Sequence, residues 1–251
     1  MACETHSLPT MTIQKTITAG VFSSALLICQ SQGATLASDD FSYDDGRLVP
    51  NGGWDIHSGR IDQGLLVSGG AAVVQHGTPS EDANFTFAPQ TAGVLTATFD
   101  VIVNDDTVIG AGGTDFEYFA HFMTRGSFNF RSRLDLVAPT VGGDYSFGLS
   151  SSSSTAQATL ASDFSFGDTI PVSLSFDLAD GMGSLTVGGE TISGDASDSG
   201  QSLDAFAFRQ SDSSNNETIT VDNLVITTNV PEPSSALLSG VALLGLLRRR
   251  R

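Results

Sequence analysis

Between residues 34 and 229 the sequence predicts an all-β fold, an antiparallel β-sandwich or barrel. Three observations carry that expectation. Short runs of alternating apolar residues recur, no long stretch repeats apolar residues at helical spacing, and Gly, Asp, Asn and Ser separate the runs. Residues 1–33 and 230–251 read instead as an N-terminal signal helix and a short C-terminal apolar helix that flank the body.

The elements follow in order. Leu65–Val67 and Ala71–Gln75 flank Ser68-Gly69-Gly70, a hairpin signal because a tight turn needs positive φ. Val94–Val103 is a long strand ended by Asn104-Asp105-Asp106. Pro171–Leu178 places Val172, Leu174, Phe176 and Leu178 on one face, with Ser173, Ser175 and Asp177 on the other. Asp180-Gly181-Met182-Gly183 turns it into Ser184–Val187, and Gly188-Gly189 leads on to Glu190–Ser193. Ile219–Thr227 closes the body. There Ile219 and Val221 share one parity while Leu224 and Ile226 share the other, so a bulge is expected at Asp222-Asn223. Twelve phenylalanines, Phe128 and Phe130 among them, lie in strand-like runs and are expected mostly in the core. Ser150–Ser154 is a low-complexity loop between strands.

Both ends have the composition of processing segments. Lys15 precedes the apolar run Ile17–Ile28, and Ser31-Gln32-Gly33 offers small residues for cleavage after Gly33, the pattern of a Sec-type secretion signal. Translation can start at Met1 or at Met11. The alternative is a buried N-terminal helix. Cys3 and Cys29 both precede residue 34, so the mature body is expected to have no disulfide. At the other end, Val230-Pro231-Glu232-Pro233 breaks the last strand. Ala236–Leu247 would span roughly 18 Å as a helix, short of the ~30 Å hydrocarbon core unless flanking residues join it. Arg248, Arg249, Arg250 and Arg251 then hold the terminus on the cytoplasmic side.

Charge excludes one class of partner. Lys15 is the only lysine, and over residues 34–247 six arginines face 27 acidic residues. Such a surface repels nucleic acid, whose binders need Lys and Arg against the phosphates.

The order Pro231-Glu232-Pro233, apolar helix, arginine cluster resembles the PEP-CTERM sorting signal of Gram-negative bacteria. That resemblance implies an exosortase-type sorting enzyme as partner, removal of the tail, transit through the inner membrane, and an envelope or exopolysaccharide setting. The alternative is a plain anchor that is never cleaved. Asp39-Asp40-Phe41-Ser42-Tyr43 with Gly52-Gly53-Trp54, and the closing Ile219–Ile226 run, resemble concanavalin A-like jelly rolls. This second resemblance implies two curved sheets, often with a sugar-facing concave side. It also implies pairing of the first and last strands, which would bring Asp40 and Asp222 together. A structural calcium often sits there in such folds, with Asp39 as the next ligand; calcium takes six to eight hard oxygens.

Catalytic spacing is absent. A retaining glycosidase on this fold carries Glu-x-Asp-x-x-Glu or Glu-x-Asp-x-Glu, and neither string occurs. Glu81-Asp82 and Glu117 are isolated, and His57, His76 and His121 have no metal spacing. The expectation is a protein that is not an enzyme. For ligand binding, alternation in Phe128–Asp135 sends Arg131 and Arg133 to one face, where they could hold a sugar carboxylate or sulfate. The competing reading is cross-strand pairing with Asp and Glu. Trp54 could stack on a sugar ring or cap the core. Three functions stay open: a non-catalytic envelope or matrix protein that binds polysaccharide, a divergent polysaccharide hydrolase, and a purely structural surface protein.

In a host with the matching exosortase, intact mass spectrometry of the envelope-associated protein should find a mature form lacking Ala236–Arg251. Recovery of Arg248–Arg251 at the main mature terminus would overturn this.

Overall fold

The computed structural model describes residues 33–59, 64–75, 80–104, 116–151, 156–195, 201–210 and 218–229. The signal segment and the sorting tail lie outside the described residues. In chain order the first strands are β1 Ala34–Asp39, β2 Gly46–Arg47, β3 Trp54–Gly59, β4 Leu66–Ser68, β5 Ala71–Gln75, β6 Glu81–Gln90, β7 Val94–Val103 and β8 Phe116–Met123. Then come β9 Phe130–Val137, β10 Ser146–Ser150, β11 Ala158–Thr159, β12 Ile170–Asp177, β13 Met182–Val187, β14 Glu190–Asp195, β15 Leu203–Arg209 and β16 Thr218–Asn229.

They build two antiparallel sheets. The nine-stranded sheet runs β14-β13-β12-β7-β16-β5-β4-β2, with β1 also on β16. The seven-stranded sheet runs β11-β10-β9-β8-β15-β6-β3. The β4–β5 and β13–β14 hairpins close through Gly69-Gly70 and Gly188-Gly189, all four at positive φ, as their sequence required.

β16 organises the nine-stranded sheet. One edge pairs with β7; the other pairs first with β5, over Thr218–Val221, and then with β1, where Asp39 faces Leu224. The first and last strands therefore do pair. The expected bulge is present: the ladder to β7 shifts between Asp222 and Val225, and Asn223 has φ of 57°. The extra residue resets the alternation, so Ile219, Val221, Leu224 and Ile226 are all fully buried.

The core lies between the sheets. Leu95, Ala97, Phe99, Val101 and Val103 of β7 face it, as do Val172, Leu174 and Phe176 of β12. From the other sheet come Phe119, Phe122, Leu134, Leu136, Phe147, Leu149, Phe206 and Phe208. Within β7, β12 and β15 these are period-two positions, the way a strand offers a continuous apolar face to a partner sheet.

Buried carboxylates join the two sheets at their margin. Asp39, 6 % exposed, ends β1. Its Oδ1 accepts the Phe41 N–H at 2.8 Å and the Tyr43 hydroxyl at 2.9 Å, while Oδ2 accepts the Trp54 indole N–H at 2.7 Å. Burial and this carboxylate push the Tyr43 phenol up to about 12. Trp54 opens β3 in the opposite sheet, is 2 % exposed, and stacks on Phe85 at 5.2 Å and Phe208 at 4.9 Å. No sugar ring can reach it. The Gly-rich loop suggests an exposed platform, but the indole N–H has found a buried acceptor and the ring is core. Gly52, at φ of 59°, serves the same contact, since a Cβ there would collide with the Tyr43 hydroxyl. Glu81 acts likewise: it is fully buried, with Oε1 on Arg47 Nη2 at 2.8 Å and Oε2 accepting the Leu65 N–H at 2.7 Å.

Trp54→Phe should keep most of the ring packing yet leave Asp39 Oδ2 buried without its donor. Urea unfolding is expected to report a loss of about 1–3 kcal/mol. A variant as stable as the parent would remove Asp39 from this role.

Candidate ligand-binding face

Alternation that sends Phe206 and Phe208 of β15 into the core turns Ala205 and Ala207 the other way. With Met123 and Phe130 they form a second, smaller apolar cluster on the outer face of the seven-stranded sheet, and Tyr118 packs against it. Cross-strand register lays this face out in rows. Thr86, Ala205, Met123 and Phe130 make one; Asn84, Ala207 and His121 make the next; Asp82 opposes Arg209 beyond them.

Aromatic rings run continuously across it. Tyr118 lies 5.6 Å from His121, which is 4.3 Å from Phe130. Phe130 is 5.8 Å from His57 and 6.1 Å from Phe128. Phe128, expected in the core, is instead 76 % exposed. It belongs to the turn between β8 and β9, edge-on to His57 at 5.3 Å. Hydrogen bonds from the Thr124 hydroxyl to the Ser202 carbonyl, 2.6 Å, and from the Arg125 N–H to Asp204, also 2.6 Å, hold that turn against the strand β15.

The two arginines expected on one face diverge. The β8–β9 ladder fits two residues, Ser132 and Arg133, where β8 supplies only His121, and Ser132 has φ of 46°. Its hydroxyl donates to the Ser175 carbonyl in the opposite sheet at 2.7 Å. Arg131 consequently pairs with the core residue Phe122, is 5 % exposed, and gives Nη1 to the Phe130 carbonyl at 2.8 Å. Arg133 instead shares the outer face, its Cζ 4.6 Å from the Tyr118 centroid and 5.4 Å from that of Phe130. A third arginine joins it: Arg209 Cζ lies 4.4 Å from the same Tyr118 ring. Parity alone could have found Arg209, because it alternates with Phe206 and Phe208.

Polar groups on this face are under strain from burial. Burial raises the Asp82 carboxyl despite the Ser58 hydroxyl at 2.7 Å and the charges of Arg209 and His57. Burial also pushes Asp135 up to about 7, against the Ser150 hydroxyl at 3.2 Å and Arg133. His121 is 1 % exposed; burial, then Arg133, His57 and Arg209, hold it well below the ordinary histidine range and so neutral. Neither its ring nitrogens nor Asn84 Oδ1 meets a hydrogen-bond partner among the described residues.

The calcium expectation meets a thin donor set. Asp40 lines a cleft of about 350 Å³ with Asp39, Tyr43 and Asn223. Asp222 lies on the far side of the bulge, opposite Asp100, with one oxygen accepting the Asn223 N–H at 2.7 Å. Both oxygens of Asp39 are taken by Phe41, Tyr43 and Trp54. Among the described residues no three acidic, histidine or cysteine side chains gather around one point. These residues do not fit the ion.

Residues 229–251 match the PEP-CTERM protein-sorting motif. No curated protein matches the chain in sequence. Among solved structures, a sialidase superposes with a TM-score of 0.57 at 15 % identity, covering 77 % of this chain and 18 % of its own length. The carbohydrate recognition domain of Emp47p gives 0.50 at 11 % identity, with 78 % of this chain and 95 % of that one covered. Lectin UEA-II, solved with galactose, gives 0.47 at 12 %, over 79 % and 99 %. The first two of these likenesses show the fold, a two-sheet antiparallel jelly roll. The chain carries a PEP-CTERM sorting tail, which marks an exported, envelope-associated protein and implies processing by an exosortase.

Asp135 gives the stability a pH dependence of definite sign. Its folded carboxyl, near 7, holds a proton more tightly than the unfolded chain does, so the stabilisation present below pH ~4 is lost as pH rises towards ~7. Stability should fall across that window by at most about 1.4 kcal/mol per pH unit from this group. Asp135→Asn should remove that falling contribution in urea titrations at stepped pH, leaving the smaller falling slopes of Asp82 and Glu81 and the rising slope of the depressed His121. An unaltered profile would refute it.

Proposed function

We propose that the chain is a non-catalytic polysaccharide-binding protein of the cell envelope or extracellular matrix. It passes through the Sec machinery and rests in the inner membrane by its tail until an exosortase-type enzyme processes it. The observation that carries the binding role is the outer face of the seven-stranded sheet, where Phe128, His57, Phe130, His121 and Tyr118 form one run of rings with Arg133 and Arg209 over its end. Aromatic faces take the C–H side of a sugar ring, and neighbouring polar groups take its hydroxyls.

The two acids on this face whose carboxyls burial raises are not placed as a glycosidase pair. Asp82 is on β6 and Asp135 on β9, with β15 and β8 between them. Three strand spacings put them about 14 Å apart, beyond the ~5–9.5 Å that either glycosidase mechanism needs.

A glycan array probed with the full chain should return at least one bacterial polysaccharide. Phe128→Ala with Tyr118→Ala should weaken that signal about tenfold or more while thermal unfolding of the exposed-ring variant Phe128→Ala stays unchanged. Silence across the array would leave the purely structural role.

A further inference from the structure

We propose that the unit held on this face is an acidic sugar, a uronate or a sulfated residue, with its anion on Arg209 beside Tyr118 and its hydroxyls on His121 and Asn84. The inference rests on the polysaccharide reading of the same face and adds the ligand's charge and the groups that read it.

Arginine is scarce in this body. The body has six arginines, and most of those described are occupied elsewhere. Arg47 bonds Glu81 at 2.8 Å, Arg125 faces Asp55 at 3.3 Å, and Arg131 turns to the core side. Arg209 differs: it forms no ion pair or side-chain hydrogen bond with the described residues, and its contact is the Tyr118 ring at 4.4 Å. A cation resting on an aromatic ring keeps its N–H donors for an oxygen acceptor, and a guanidinium presents them in the fork that fits a carboxylate or sulfate. Asp82, the carboxylate opposite Arg209 in the ladder, is bound to Ser58 at 2.7 Å. Arg133, over the other contact of the same ring, adds positive charge at that point.

A second observation points to a ligand independently. Buried polar atoms without partners are uncommon, and each asks for an explanation in water or ligand. His121 and Asn84 supply three such atoms, on neighbouring positions of one row, with only the methyl of Ala207 between them. A neutral imidazole offers one donor and one acceptor, and an amide oxygen offers a second acceptor, which matches hydroxyls that both give and take hydrogen bonds. Tyr118 and Phe130 flank His121, and Arg209 stands two residues along β15 from Ala207 on the same face.

The test is affinity of the full chain for polygalacturonate, dextran sulfate and uncharged dextran, at two salt concentrations. Binding to one or both acidic polymers, weakened by salt, with none to dextran, is expected; the two acidic arms separate uronate from sulfate. General charge attraction is excluded as a cause, because the protein's own net charge is −17. Arg209→Gln should weaken binding about tenfold or more, and Arg209→Lys should fall between, keeping charge but losing the fork. His121→Leu removes two unmet nitrogens from an apolar setting, so it should weaken binding without lowering the unfolding temperature; a purely structural histidine would lower it. Dextran bound as well as the acidic polymers, or Arg209→Gln and Arg209→Lys both binding like the parent, would overturn the inference and leave polysaccharide binding standing. No binding to these polymers or to any glycan on the array would take down both.

Discussion

A strand can show a partner sheet only every second side chain, and nearly everything in this molecule follows from how strictly that rule is kept. Where it holds, as in β7 and β12, the buried positions are apolar and most of the others carry Thr, Ser and Asp. Where an extra residue intrudes, the phase resets and side chains change sides. Asn223 does this in β16 and keeps the core continuous. Ser132 does it in β9, and there the consequence is chemical: Arg131 is drawn to the core side while Arg133 reaches Tyr118.

The two bulges also show what a sequence reveals and what it hides. On either side of Asp222-Asn223 the apolar residues switch parity, so this irregularity can be read from the amino acids alone. In β9, Phe130, Leu134 and Leu136 share one parity, and the string reads as an unbroken strand. Nothing in it reports that Phe130 and Leu134 face opposite ways, because an apolar residue suits either the core or the small outer cluster. The hairpins were legible because Gly-Gly turns have few alternatives. The role of Trp54 was not, since its partner Asp39 is fifteen residues away on another sheet. Phe128 misled for the same reason as Phe130: hydrophobicity says that a ring is costly in water, not that every ring escapes it.

Polar contacts complete what the apolar faces begin. Both cysteines precede the body, so its sheets are held without a covalent link. Asp39 and Glu81 bind donors from the opposing sheet, and Ser132 and Ser151 donate across to the Ser175 and Gly194 carbonyls at 2.7 and 2.6 Å. Each pairs a buried group at the seam, which fixes how one sheet sits on the other in a way that non-directional burial does not.

The position of β16 has a mechanical consequence. It is the strand from which the sorting tail departs, it is twelve residues long, and it is paired along both edges, with β7 on one side and β5 and β1 on the other. Tension applied at Asn229 along the strand axis loads both ladders in shear, many hydrogen bonds at once, where a strand peeled from a sheet edge would give them up singly. Tethered by that end, the jelly roll would meet tension with a strand that is hydrogen-bonded along both edges.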